Sequence, residues 1–171
     1  ILDTARLRAR LSEYYNISQS NVHAYVFGEH GDSSFIPWSV ANISNVPISK
    51  CNELISLPGM ESPALNFDEI EQYVRKSGGR VIARKGATFY AVSISVCHIC
   101  KCLLAGIDTT MTVSTMMHGE YGIDDVCLST LNLVGHDGIR GKVNVPLTDE
   151  ETAKLRFSAD TLKDVIKNLN I

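Results

Sequence analysis

The stretch Thr109-Thr110-Met111-Thr112-Val113-Ser114-Thr115-Met116-Met117-His118, followed beyond Glu120-Tyr121-Gly122 by residues 125–134, decides the fold class. Both segments alternate polar with apolar residues or run apolar, which predicts two antiparallel strands joined by the glycine turn. Val134-Gly135-His136-Asp137-Gly138 predicts a further turn into a short strand over 139–145. Downstream, Thr148-Asp149-Glu150-Glu151 has the form of a capping box. The helix it starts runs to about Asn168, with Leu155, Leu162, Val165, Ile166 and Leu169 on its apolar side.

Upstream of the strands the pattern is helical. Phe67, Ile70, Val74, Val81 and Ile82 recur at roughly helical spacing over 67–84, with Asp68, Glu69 and Glu71 near the positive end of the dipole. Gly78-Gly79 weakens this helix or lets something pack closely on it. Lys85-Gly86 marks a break. Residues 85–105 are much more apolar from Ala87 to Ala105 and predict a buried central helix that ends at Gly106. Residues 46–66 are loop-rich, with Pro47, Pro58, Gly59 and Pro63 and a short helix over 48–56. Residues 35–43, with Trp38, read as an extended piece or a short helix, and Pro37 argues against a central strand. Residues 22–29 predict a strand. Residues 3–15 predict a helix with Leu7, Leu11, Tyr14 and Tyr15 on its apolar side, an exit at Asn16 and a polar loop over 18–21.

Helices and antiparallel strands mixed without a βαβ rhythm make the class α+β. No glycine-rich phosphate loop follows a predicted strand, so the chain holds no dinucleotide fold of its own. Its 171 residues suit a single domain with a real core. The net charge of -3 argues against nucleic acid as a partner. No apolar run is long enough to span a membrane, and no signal-peptide pattern is present. The chain opens at Ile1 and enters a helix almost at once, which reads as one domain of a longer protein. Five cysteines, an odd number, read as reduced thiols in a cytoplasmic protein.

The chemistry concentrates near the start. Ala24-Tyr25-Val26-Phe27 leads into Gly28-Glu29-His30-Gly31-Asp32-Ser33. A histidine between two glycines at a strand end is poor core filling and well placed to meet a ligand. Histidine titrates nearest neutrality, so it can pass a proton either way. Asp3 and Arg6 lie three apart on one helical face. A carboxylate beside an imidazole fixes its tautomer, and an arginine fork matches a carboxylate bidentately. Together the three could bind a small carboxylic acid and protonate its carbonyl. On spacing alone, an ordinary surface pair and a turn histidine are the plain alternative.

Word order narrows the choice. Leu2-Asp3-Thr4-Ala5-Arg6, then Gly28-Glu29-His30-Gly31-Asp32-Ser33, then Lys85-Gly86-Ala87-Thr88 resembles the NAD-dependent L-lactate dehydrogenases, including the 27-residue separation of Asp3 and His30. The resemblance covers the whole chain as a C-terminal substrate-binding domain, and it implies the lactate/malate dehydrogenase C-terminal fold. It implies that His30 exchanges a proton with the pyruvate carbonyl and that Asp3 orients it. Arg6 would clamp the substrate carboxylate, Thr88 would line the substrate pocket, and Val92 would wall the nicotinamide site, with plain helix core as the alternative for Val92. The N-terminal Rossmann domain that binds NAD, and the loop with the carbonyl-polarising arginine, lie outside this chain. The fragment alone should therefore not transfer hydride.

Arg8 sits two steps from Arg6, roughly 200° around the helix, and must face elsewhere. Arg8 and His23 match the phosphate-binding pair of bacterial lactate dehydrogenases activated by fructose 1,6-bisphosphate. There the effector sits at a subunit interface of a homotetramer. An exposed arginine and a strand-end histidine are the plain alternative.

Cys97-His98-Ile99-Cys100-Lys101-Cys102 invites a metal reading. On an apolar helix these side chains diverge, and a closed zinc site needs four converging ligands. Small buried thiols are expected and no metal site. His118 and His136 lie near turns and read as solvated. Malate dehydrogenase of the same superfamily is the nearest rival, followed by a catalytically inert homologue kept for assembly. A hydrolase using His30 and Asp32 lacks a serine or cysteine elbow.

Overall fold

The structure, a computed structural model, describes residues 1–55 and 65–169. Pro58, Gly59 and Pro63, and the last residue of the helix expected over 48–56, lie outside the described residues.

Helix α1 (Leu2–Tyr15) turns Thr4, Leu7, Leu11 and Tyr15 inward, three or four apart on one stripe. It stops where Asn16 takes the left-handed conformation at φ 49°. Strands β1 (Val22–His23), β2 (Asn42–Ile43) and β3 (Val46–Pro47) form a small antiparallel sheet in that order. The short α2 (Cys51–Leu54) follows. Helix α3 (Phe67–Lys85) is capped by Asn66, whose side chain accepts the Glu69 amide, and packs on α1. Leu7, Leu11, Tyr15, Val22, Ile43, Ile70 and Val74 fill the core between these elements.

Helix α4 (Tyr90–Leu104) leads to the main sheet of β4 (Thr109–His118), β5 (Asp124–Gly135) and β6 (Gly138–Lys142), antiparallel throughout. The expected hairpin is present, with Thr110 opposite Leu133 and Thr115 opposite Leu128. Helix α5 (Asp149–Asn168) starts on the expected capping box, each of Thr148 and Glu151 accepting the other's amide. A second core joins α5 to this sheet through Phe27, Phe35, Met117, Leu128, Leu155 and Ala159. Each of the larger side chains, Phe27, Phe35, Met117, Leu128 and Leu155, contributes about 1.5–3 kcal/mol on burial. The class is thus α+β, as the patterning predicts.

Several elements differ from expectation. The strand over 22–29 is only two residues long as a ladder. Beyond it the Val26 amide donates to Thr4 Oγ1 at 3.0 Å, leaving isolated bridges of Phe27 with Phe35 and Gly28 with Ser129. The segment is used to stitch α1 to the main sheet, so it cannot run on in one ladder. Residues 35–43 realise both alternatives, a 3-10 turn at Trp38–Val40 and then β2.

The expected buried central helix is a correction. The chain breaks at Gly86, φ 78°, and α4 begins only at Tyr90. None of its residues is buried. Tyr90, Ile94 and Leu104 are 68%, 70% and 86% exposed. Among the described elements helix α4 packs chiefly on β5 and α1, and that packing leaves most of its apolar side chains exposed. The small buried thiols expected there are corrected with it: Cys97 and Cys100 are exposed and Cys102 is half-buried. At the end of α5, Val165, Ile166 and Leu169, expected on its apolar side, are likewise exposed.

Candidate functional site

The first turn of α1 supplies the fixed part of the site. Asp3 and Arg6 face the same way, and Arg6 Nη1 lies 2.7 Å from Asp3 Oδ1. The other carboxylate oxygen, Oδ2, lies 2.7 Å from His30 Nδ1. One carboxylate therefore joins the guanidinium and the imidazole across 27 residues of sequence. Asp3 and Arg6 are mostly shielded, at 20% and 18% side-chain exposure, whereas the His30 side chain is 84% exposed. With Nδ1 held by Asp3, His30 has Nε2 free to meet a ligand.

The loop that carries His30 is pinned from three sides. Glu29 donates its amide to Ser158 Oγ on α5 at 2.7 Å, and Ser33 Oγ donates to the same oxygen at 2.9 Å. Arg75 Nε of α3 donates to the Ser34 carbonyl at 2.9 Å. Within the loop, Ser33 donates its amide to Glu29 Oε1 at 3.1 Å. Gly28 makes the approach possible: its φ is +95°, and a Cβ there would stand 2.6 Å from Ser158 Oγ.

Thr4 is the buried hub between these parts. Its hydroxyl accepts from the Val26 amide at 3.0 Å and from Thr112 Oγ1 of β4 at 2.8 Å. The sequence reading missed both Thr4 and Ser158. Thr4 continues the inward stripe of Leu7, Leu11 and Tyr15, so helical periodicity could have found it. Ser158 carries no local signal.

A cavity of about 420 Å³ opens beside the triad, within the size range of small-molecule sites. Asp3, Gly28, Glu29 and His30 give it one wall, and Val92, Val96 and Ile99 of α4 give an apolar one. Val92 therefore faces the same space as His30. Arg6 is not among its lining residues, and neither is Thr88, which lies half-buried in the link between α3 and α4.

The Arg8 and His23 positions behave differently. Arg8 faces away from Arg6, as the helical angle requires, and donates from Nη2 to the Gln19 carbonyl at 3.0 Å. It lines a second cavity with Gln19, Ser20, Tyr25 and His98. His23 is exposed on β1 and does not line that cavity.

The acidic run at 149–151 is the helix start that the sequence predicts. Glu151 also reaches β2's approach, accepting the Ser39 amide at 2.9 Å and the Ser39 hydroxyl. Burial opposes its charge, but these hydrogen bonds, with that from the Thr148 amide, outweigh it and hold the carboxyl below the usual range. His118 and His136 are exposed. All five cysteines are free. Among the described residues no helix is long and apolar enough to cross a membrane.

The chain as a whole is similar to known proteins. Residues 1–170 match the family model described as lactate/malate dehydrogenase, alpha/beta C-terminal domain. The chain is 41% identical over 172 residues to L-lactate dehydrogenase of Acetivibrio thermocellus, covering 100% of this chain and 53% of that protein. It is 40% identical over 171 residues to that of Thermoanaerobacterium saccharolyticum, covering 100% and 54%. Among solved structures, a lactate dehydrogenase enzyme from a Medee basin deep-sea metagenome library superimposes with a TM-score of 0.92 at 31% identity, over 99% of this chain and 53% of the other. L-lactate dehydrogenase from Clostridium thermocellum does so with a TM-score of 0.87 at 34% identity, over 100% and 54%. The chain spans about half the length of the relatives it matches.

Proposed function

The chain belongs to the lactate/malate dehydrogenase family, as its C-terminal α/β domain, and from that premise we propose that it is the substrate domain of an L-lactate dehydrogenase interconverting pyruvate and L-lactate. The observation that carries this reading is the shared Asp3 carboxylate, which holds the His30 imidazole and the Arg6 guanidinium at 2.7 Å each.

Asp3 accepts from Nδ1, so the transferable proton belongs on His30 Nε2. In the direction of reduction His30 gives that proton to the carbonyl oxygen of pyruvate, and in oxidation it takes the proton from the lactate hydroxyl. Asp3 stabilises the imidazolium between these events. On this reading Arg6 would offer the rest of its fork to the substrate carboxylate and Thr88 would border the substrate side, although neither lines the cavity beside His30. NAD, when bound, accepts or supplies the hydride. The apolar wall of Val92, Val96 and Ile99 beside His30 suits the flat face of a nicotinamide ring, while its phosphates would be held by the half of the relatives' length that this chain does not span. The effector reading takes Arg8 and His23 as ligands of fructose 1,6-bisphosphate in a homotetramer.

The test is an assay of the full-length protein, following NADH oxidation with pyruvate and with oxaloacetate, each with and without fructose 1,6-bisphosphate. Preference for pyruvate supports the lactate reading. Preference for oxaloacetate moves the protein to the malate branch and leaves the His30 role standing. Turnover of neither overturns the activity.

A further inference from the structure

We propose that His98 and Cys102 form a two-donor chelate on α4 for a borderline-soft divalent cation, with zinc as the matching ion. Residues four apart on a helix share a face. Here the pairing brings His98 Nε2 to 3.7 Å from Cys102 Sγ. In a tetrahedral site zinc lies about 2.3 Å from a thiolate sulfur and about 2.0–2.1 Å from an imidazole nitrogen, which separates the two donors by roughly 3.6 Å. The two donors thus already stand at the spacing of adjacent ligands, and a cation can seat between them with no change of backbone.

The rest of the cysteine-rich run does not join them. Cys97 and Cys100 are exposed elsewhere around the helix, and among the described residues no group of three or more metal-ligating side chains converges. The site is therefore open, with its remaining positions left for water or an exogenous donor. His98 is exposed and Cys102 half-buried, so hydrated metal can reach both. Binding breaks the Cys102 S–H bond, forms the sulfur–metal bond and releases the proton to solvent, so affinity must weaken as pH falls. His98 also lines the cavity beside Arg8, and Ile99 lines the one beside His30, which puts the bound cation on a helix that walls both.

The test is a Co²⁺ titration of the purified full-length protein, freed of metal and kept reduced with a phosphine. The expected result is a sulfur-to-cobalt charge-transfer band that saturates at one cobalt per chain and is displaced by Zn²⁺. Cys102→Ser should abolish the band. His98→Ala should weaken affinity by roughly tenfold or more, since even outer-shell changes cost that much. Cys97→Ser and Cys100→Ser should leave band and affinity unchanged. None of the four side chains is buried, and far-ultraviolet circular dichroism checks that each variant keeps its fold. No band at millimolar cobalt, or a band that survives Cys102→Ser, overturns the proposal.

Discussion

Ser158, on α5, receives the Glu29 amide at 2.7 Å across 129 residues of sequence, and it is fully buried. The position of His30 is thus set as much by the last helix as by the first. Ser158→Ala leaves the Glu29 amide without its acceptor. An unsatisfied buried donor costs about 1–3 kcal/mol. Urea denaturation should show that loss, and kcat/KM of the full-length enzyme should fall while Asp3 and Arg6 remain in place. Unchanged stability would show that the loop is held without Ser158.

Gly28→Ala should be worse than Ser158→Ala. The substitution meets a positive φ and a 2.6 Å approach to Ser158 Oγ at once. Left-handed or otherwise sparse backbone costs about 1–3 kcal/mol by itself. The double variant Gly28→Ala/Ser158→Ala removes the collision but not the backbone strain. Thermal melts should therefore place it above Gly28→Ala if the clash dominates.

Arg6→Lys keeps the charge and discards the fork. A charged hydrogen bond is worth about 1.5–3 kcal/mol, so kcat/KM for pyruvate should fall by tenfold or more. A value within about threefold of wild type would refute the bidentate role.

On the proposed effector reading, Arg8→Ala/His23→Ala should separate catalysis from activation. Arg8 turns away from the triad to the Gln19 carbonyl. Maximal activity should therefore stay largely intact while the response to fructose 1,6-bisphosphate is lost. Activation that persists in the double variant removes these residues from the effector site.

Glu120 gives the fold an acid limit away from the site. The His118 amide, which donates to its carboxylate, and Lys142, with Nζ 2.9 Å away, pull its pKa from 4.5 down to about 2. A folded-state pKa below the unfolded value means stability that is present above about pH 4.5 and lost as pH falls toward 2. Urea titrations over pH should show wild type ahead of Glu120→Gln by a constant margin above pH 4.5, narrowing below it. A pH-independent gap would mean that the carboxylate charge contributes nothing.

What could be read from sequence follows how local each signal is. A helix face and a glycine pair made Asp3, Arg6 and His30 candidates, and only the family resemblance, with its 27-residue separation, raised them above the plain surface reading. The capping box at Thr148 and the β4–β5 hairpin were legible from local pattern alone. Ser158 was not, because a serine on a helix carries no sign of which distant amide it will meet. Val26 looked like mid-strand, but Thr4 takes its amide and ends the ladder. The apolar content of α4 announced a helix without saying that most of its apolar side chains would stay exposed.

Asp3, Thr4 and Arg6 occupy a single turn of α1, and Thr4 is bonded to both the 24–28 segment and β4. The reactive geometry accordingly has one adjustable part where three might be supposed. A small axial slide of that turn would carry carboxylate and guanidinium together, preserving their mutual 2.7 Å contact while detuning both against His30. A one-residue insertion ahead of Thr4 would swing Asp3 by about 100° relative to Arg6 and the Thr4 anchor. Length changes there should be far more damaging than most point substitutions, which makes this turn a vernier for the whole site.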